Sequence, residues 1–157
     1  MIAEEAKYYE LGLILGLITK AEVISWSDNL IEILEKPPTQ LLDISLSGQK
    51  SINELSALLN RFDKGDKYKE ISVSAFKKIG TVLKEKIDKK ELSFDEVAQK
   101  LYFVSQYSHI SLIEEHEEFC NWVDDEFSLV NQGIKDRLSA EKDLYNFLLI
   151  LTEIKKV

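Results

Sequence analysis

The sequence predicts an all-α fold: a single-domain bundle of about seven or eight helices that begins with an antiparallel hairpin. Three observations predict it. Four Ser/Thr-x-x-Glu boxes, Thr19/Glu22, Ser51/Glu54, Ser93/Glu96 and Ser111/Glu114, each offer a hydroxyl to the third amide of a helix and a glutamate back to the cap amide. Apolar residues recur at three- and four-residue spacing, which gathers them on one side of a helix. No convincing alternation of period two runs anywhere, and 6 Gly and 2 Pro leave few breaks.

The first helix is expected over Ala3 to Leu17, and Thr19 opens a second that stops before Pro37-Pro38. Successive prolines remove two backbone donors and push Lys36 out of helical geometry, so the chain turns there. A short apolar helix follows at Thr39 to Leu46, then a turn at Ser47-Gly48, a helix from Ser51 to Phe62 and a polar loop from Asp63 to Lys69. Ser72 is placed to cap the next helix, whose stripe is Phe76, Ile79, Gly80, Leu83 and Ile87. After Lys89-Lys90 comes the stripe Phe94, Val97, Ala98, Leu101 and Val104, then an acidic helix over about Ile110 to Val130. Leu144, Phe147, Leu148, Leu151 and Ile154 end the chain with a helix widened by Leu149 and Ile150, apolar enough to predict a central position.

A chain of 157 residues suits one domain with enough buried surface to need no staples. Its single cysteine, Cys120, excludes an intramolecular disulfide and suits a reducing compartment. Glu4 and Glu5 stand where a signal peptide carries its basic region, so a cytoplasmic location is expected. The longest apolar stretches, Leu11 to Ile18 and Phe147 to Leu151, fall short of a bilayer span, and no membrane contact is expected.

Net charge is −8, and it is concentrated. From Leu101 to Ile134 there are 7 acids and no Lys or Arg, while the other 123 residues carry 21 acids against 20 bases. Such a field opposes phosphate backbones, which argues against nucleic acid, and favours a basic protein partner. Aromatic residues in the same run, with Phe119, Val123 and Phe127 expected to face the core, leave Trp122 as an interface anchor between two acid clusters. The residues expected to meet a partner are therefore Glu114, Glu115, Glu117, Glu118, Trp122, Asp124, Asp125 and Glu126. The plainer alternative is a solvated helix face, or one paired internally with the 9 lysines and 4 acids between Lys64 and Lys90.

Motifs for chemistry are sparse. His109, His116 and Cys120 have seven- and four-residue spacing, which would align them along one helix as zinc ligands, but the apolar neighbours Leu112, Ile113, Phe119 and Val123 favour a core edge. Cys120 and His116 lie one turn apart without a base orienter or an oxyanion hole. Gly12 and Gly16 lie within an apolar segment, where small residues serve close packing rather than a phosphate cradle. No catalytic residue, metal or cofactor is assigned.

The run from Tyr9 through Gly12, Gly16, Thr19, Glu22 and Trp26 to Asp28, followed by Pro37-Pro38 and Leu41-Leu42-Asp43-Ile44-Ser45-Leu46, resembles one family. It is similar to small acidic helical immunity proteins encoded beside bacterial polymorphic or contact-dependent toxins. The resemblance covers about the first 50 residues and rests on a helical hairpin pattern. It implies a non-catalytic protein that binds and blocks a toxin's catalytic domain, and it transfers no particular contact residue. An acidic inhibitor of this kind suits a basic nuclease-type toxin, whose site is built to hold phosphates. The alternative is a structural or regulatory helical module that forms a homodimer through an apolar hairpin surface.

Overall fold

The computed structural model describes residues 2–62 and 64–153, and among them it is all-helical, with eight α-helices and no strand. They are α1 (Ile2–Ile14), α2 (Lys20–Ile33), α3 (Thr39–Ser45), α4 (Ile52–Asn60), α5 (Tyr68–Asp88), α6 (Phe94–Gln106), α7 (Glu114–Asn131) and α8 (Arg137–Thr152). No helix among the described residues is long and apolar enough to cross a membrane. Ile154 of the expected last stripe, and Asp63 of the expected loop, lie outside the described residues. The chain divides into two compact units, residues 1–71 and 72–157, with the division falling inside α5.

In the first unit α1 packs on α4 and α2 on α3. Thr19 forms a complete box: its hydroxyl accepts from the Glu22 amide at 3.2 Å, and the Thr19 amide donates to Glu22 Oε2 at 2.7 Å. Ser51 caps α4 by accepting from the Glu54 amide. The expected antiparallel hairpin of α1 and α2 is not a closely packed pair, since α1 packs on α4 and α2 on α3; the two helices meet through Trp26, whose ring lies 4.9 Å from that of Tyr9 and whose Nε1 donates to Glu5 Oε2 at 3.3 Å. Trp26, Val23, Leu41, Ile44, Leu55, Leu59 and Phe62 belong to its core. Gly16 is not inside a helix as expected. With φ +72° it ends α1, its own amide donating to Leu13 O and that of Leu17 to Gly12 O, the Schellman pattern that a Cβ disfavours. Helix α1 therefore stops at Ile14, short of Leu17.

A buried ion pair sits within this unit. Lys7 and Glu10 are both wholly buried, with Lys7 Nζ donating to Glu10 Oε1 at 2.8 Å and to Asn60 Oδ1 at 2.8 Å, and standing 5.8 Å from the centre of the Tyr68 ring. Burial lowers the Lys7 pKa, and the Glu10 charge opposes that shift.

In the second unit α6 packs on α7, and α8 packs on both. Gly80 on α5 lets Leu151 of α8 approach, since a Cβ there would stand 2.5 Å from Leu151 Cδ2. Ser93 caps α6 as expected, and α8 has a cap in Asp136 that accepts from the Ser139 amide. Between α5 and α6 the turn places Lys90 at φ +58°, left-handed without a glycine.

Three expectations fail here, each for a physical reason. Ser72 does not open α5, which already begins at Tyr68; instead its buried Oγ accepts from the Ser111 amide at 3.1 Å. Ser111 is not a cap either, because residues 110–113 are non-helical and α7 starts behind Ile113 with no side-chain cap. Glu114, Glu115 and Glu117 in the first turn complement the positive end of the helix dipole instead. Finally, α8 is not buried all round: Ala140, Leu144, Leu148 and Leu151 are its inner side, while Ile150 is 70% exposed.

Candidate functional site

Helix α7 has an inner face, Cys120, Val123, Phe127 and Val130, set by three- and four-residue spacing. Everything a quarter-turn or more from that face reaches solvent. Glu114, Glu115, Glu117, Glu118 and Asp125 are exposed, Trp122 is 42% exposed and Asp124 is half-buried. On the helix, Glu115, Glu118, Trp122 and Asp125 follow one another at three- and four-residue steps, so the indole lies within a line of carboxylates.

Glu126 is the exception and corrects the expected contact set. It precedes Phe127 on the inner face and is 4% exposed, and its Oε1 meets Lys135 Nζ as an ion pair without hydrogen-bond alignment. Lys135 is the first base after the acidic run. Gly133, at φ +77°, turns the chain so that this lysine returns to the helix it has just left. The same ammonium stands 5.9 Å from the centre of the Trp122 ring, and Phe119 packs edge-on against that ring at 4.9 Å. Trp122 is thus held in place with part of its surface free.

The α5 lysines Lys84 and Lys86 pair locally, with Asp88 and Glu91. Tyr102 and Phe103, the aromatic residues that open the acidic run, are 40% and 47% exposed. They fall out of phase with Val97, Leu101 and Val104, and that phase is readable in the sequence.

The metal and nucleophile candidates separate. His109 lies in the turn between α6 and α7, edge-on to Tyr107, rather than on the helix that carries His116 and Cys120. Among the described residues no group of His, Cys, Asp and Glu is arranged to hold a metal ion. His116 packs between Phe76 and Phe147, ring centres 5.6 and 5.9 Å away, with its buried Nδ1 lacking a hydrogen bond. Burial lowers its pKa, Lys77 adds to the shift and Glu115 opposes it. Burial pushes the Cys120 thiol up to about 12, which leaves it protonated and unreactive near neutral pH.

The chain matches no protein-family model, no curated protein and no solved structure.

Proposed function

We propose that this protein is a non-catalytic binding protein that neutralises a basic, nuclease-type bacterial toxin domain, in the manner of an immunity protein. One observation carries the reading: exposed glutamates, Glu114, Glu115, Glu117 and Glu118, adjoin a half-exposed tryptophan on one rigid helix. Carboxylates in such a field raise the rate of encounter with a basic surface, and a fixed indole supplies contact area with little entropy left to lose. A toxin site that binds phosphate would meet these carboxylates in the substrate's place.

The test uses a basic toxin domain encoded next to this gene, with association followed by stopped flow at several salt concentrations. Glu117→Lys with Glu118→Lys should slow association roughly tenfold or more and flatten its salt dependence. Trp122→Ala should act on dissociation, by about 2 kcal/mol if the indole is a central anchor. Kinetics unchanged in both variants would remove α7 from the interface.

Self-association is the second reading, favoured by Ile33 and Leu46, which are 76% and 82% exposed near the hairpin. Sedimentation equilibrium separates the two: a stable homodimer indifferent to the toxin domain supports self-association.

A further inference from the structure

Between α6 and the C-terminal half of α7 lies a cleft of about 340 Å³, floored by Phe127 and walled by Asp95, Gln99, Asp124, Ser128 and Asn131. One wall already holds a guanidinium. Arg137 donates through Nη1 to Asp95 Oδ1 at 2.8 Å and through Nη2 to Asn131 Oδ1 at 2.7 Å, while Asn131 Nδ2 donates to Asp95 Oδ2 at 3.0 Å. Carboxylate and amide oxygens are therefore spaced there for a planar fork, and the Arg137 bonds hold the Asp95 carboxyl below its ordinary range.

The other wall repeats the chemistry without an occupant. Among the described residues, no hydrogen bond or ion pair engages the Asp124 carboxylate or the Gln99 amide. With Asp95 neutralised by Arg137, and no Lys or Arg anywhere on α7, the charge left uncompensated in the cleft is that of Asp124. We infer that this cleft receives an arginine side chain of a basic protein partner, with Asp124 accepting its guanidinium and the Gln99 amide oxygen completing the fork, beside a Ser128 hydroxyl that already accepts from Gln132 Nε2 at 3.4 Å. The inference rests on the proposal that the partner is a basic protein, and it names where on this chain one arginine enters. Arginine suits the site better than lysine, because carboxylate and amide oxygens from two helices can meet a planar fork of several donors, as Asp95 and Asn131 do with Arg137, where an ammonium is a single point charge. Phosphate-bearing ligands are opposed by the acids along α7.

The experiment is a titration of the ¹⁵N-labelled full chain with acetyl-Gly-Arg-Gly-amide and, in parallel, acetyl-Gly-Lys-Gly-amide, followed by amide chemical shifts. The arginine peptide should give saturable shifts at the Gln99 side-chain amide and over residues 124–132, and bind more tightly than the lysine peptide. Asp124→Asn should weaken it about fivefold, whereas Asp143→Asn, at an exposed position on α8, should not. Shifts that grow linearly over Glu114 to Glu118, equal binding of the two peptides, or an Asp124→Asn titration like that of the unaltered chain would overturn the inference. Toxin binding that persists while the peptide ignores the cleft overturns this inference alone. Peptide binding in the cleft without any basic protein partner overturns the function proposed above and leaves the cleft's specificity standing.

Discussion

Lys7→Met should strongly destabilise the first unit, and its effect should reverse when Glu10 is also replaced. At 2.8 Å the two charges attract by about 6 kcal/mol at an effective dielectric of about 20. Taking both out of water costs several kcal/mol per ion, so the intact pair contributes little net stability. Removing the lysine alone takes from this buried carboxylate the cation that faces it at 2.8 Å, which costs about 3–5 kcal/mol against a typical total of about 5–15. With a urea slope near 1 kcal/mol/M, at the low end for small domains, the midpoint should fall by roughly 3–5 M. Lys7→Met with Glu10→Leu should return within about 2 kcal/mol of the unaltered protein, since apolar packing replaces the pair. The two tryptophans lie one in each unit, so a Trp122→Phe background lets Trp26 fluorescence report on the first unit. A Lys7→Met midpoint within 0.5 M of the parent, taken as roughly the scatter of such extrapolations, would show that the pair is solvated and refute the argument.

Three further outcomes follow from the second unit, together with the binding kinetics already described. His116 has a folded pKa below its unfolded value of about 6.5, so the unfolded chain binds the proton first and stability falls as pH drops below about 6.5. Trp122-monitored melts should show His116→Phe losing less stability than the parent between about pH 7 and 5.5, and parallel curves would contradict this. Gly80→Ala gains about 1 kcal/mol of helix propensity but pushes a methyl into Leu151, which is 2% exposed; overpacking of about 1–3 kcal/mol should win. In a Leu151→Ala background the sign should reverse, and a constant effect in both would deny the contact. Asp125→Ala should raise thermal stability by about 0.5 kcal/mol, which calorimetry would read as a higher Tm.

What the sequence revealed was what short-range chemistry decides. Thr19, Ser51 and Ser93 each need a partner only three residues away, and each forms its cap. Ser111 carries the same local signal with Glu114, and Ser72 is a cap candidate without a glutamate, yet the Ser111 amide donates to Ser72 Oγ across 39 residues, and tertiary satisfaction overrides capping. The outward placement of Glu114 to Glu118 was legible from the inner spacing of Cys120, Val123 and Phe127. The fate of Glu126 was not, because it depends on a turn at Gly133 that brings Lys135 back. Lys7 and Glu10 look like an ordinary solvated pair at three-residue spacing, and only Asn60, 53 residues on, marks them as buried. Nor does any local pattern join Arg137 to Asp95 at 42 residues' separation.

The charges of α7 are unequal in what they do for the fold, and that inequality bears on function. Glu114, Glu115 and Glu117 occupy the first turn, where each acid stabilises the helix by about 0.3–1 kcal/mol. Glu126 is neutralised by Lys135. Asp124 and Asp125 have neither advantage: they sit outside the first turn, with Asn121, Ser128 and Leu129 rather than a base one turn away. Aspartate is also a poor helix former, by up to about 0.7 kcal/mol relative to alanine. Folding alone gives no reason for carboxylates at these two positions. A partner that brings positive charge does, because the unscreened repulsion that weakens the free helix becomes attraction in the complex. If Asp125→Ala stabilises the protein and at the same time slows capture of a basic toxin domain, the two effects have this one electrostatic origin. Stabilisation with capture unchanged would mean that Asp125 faces nothing.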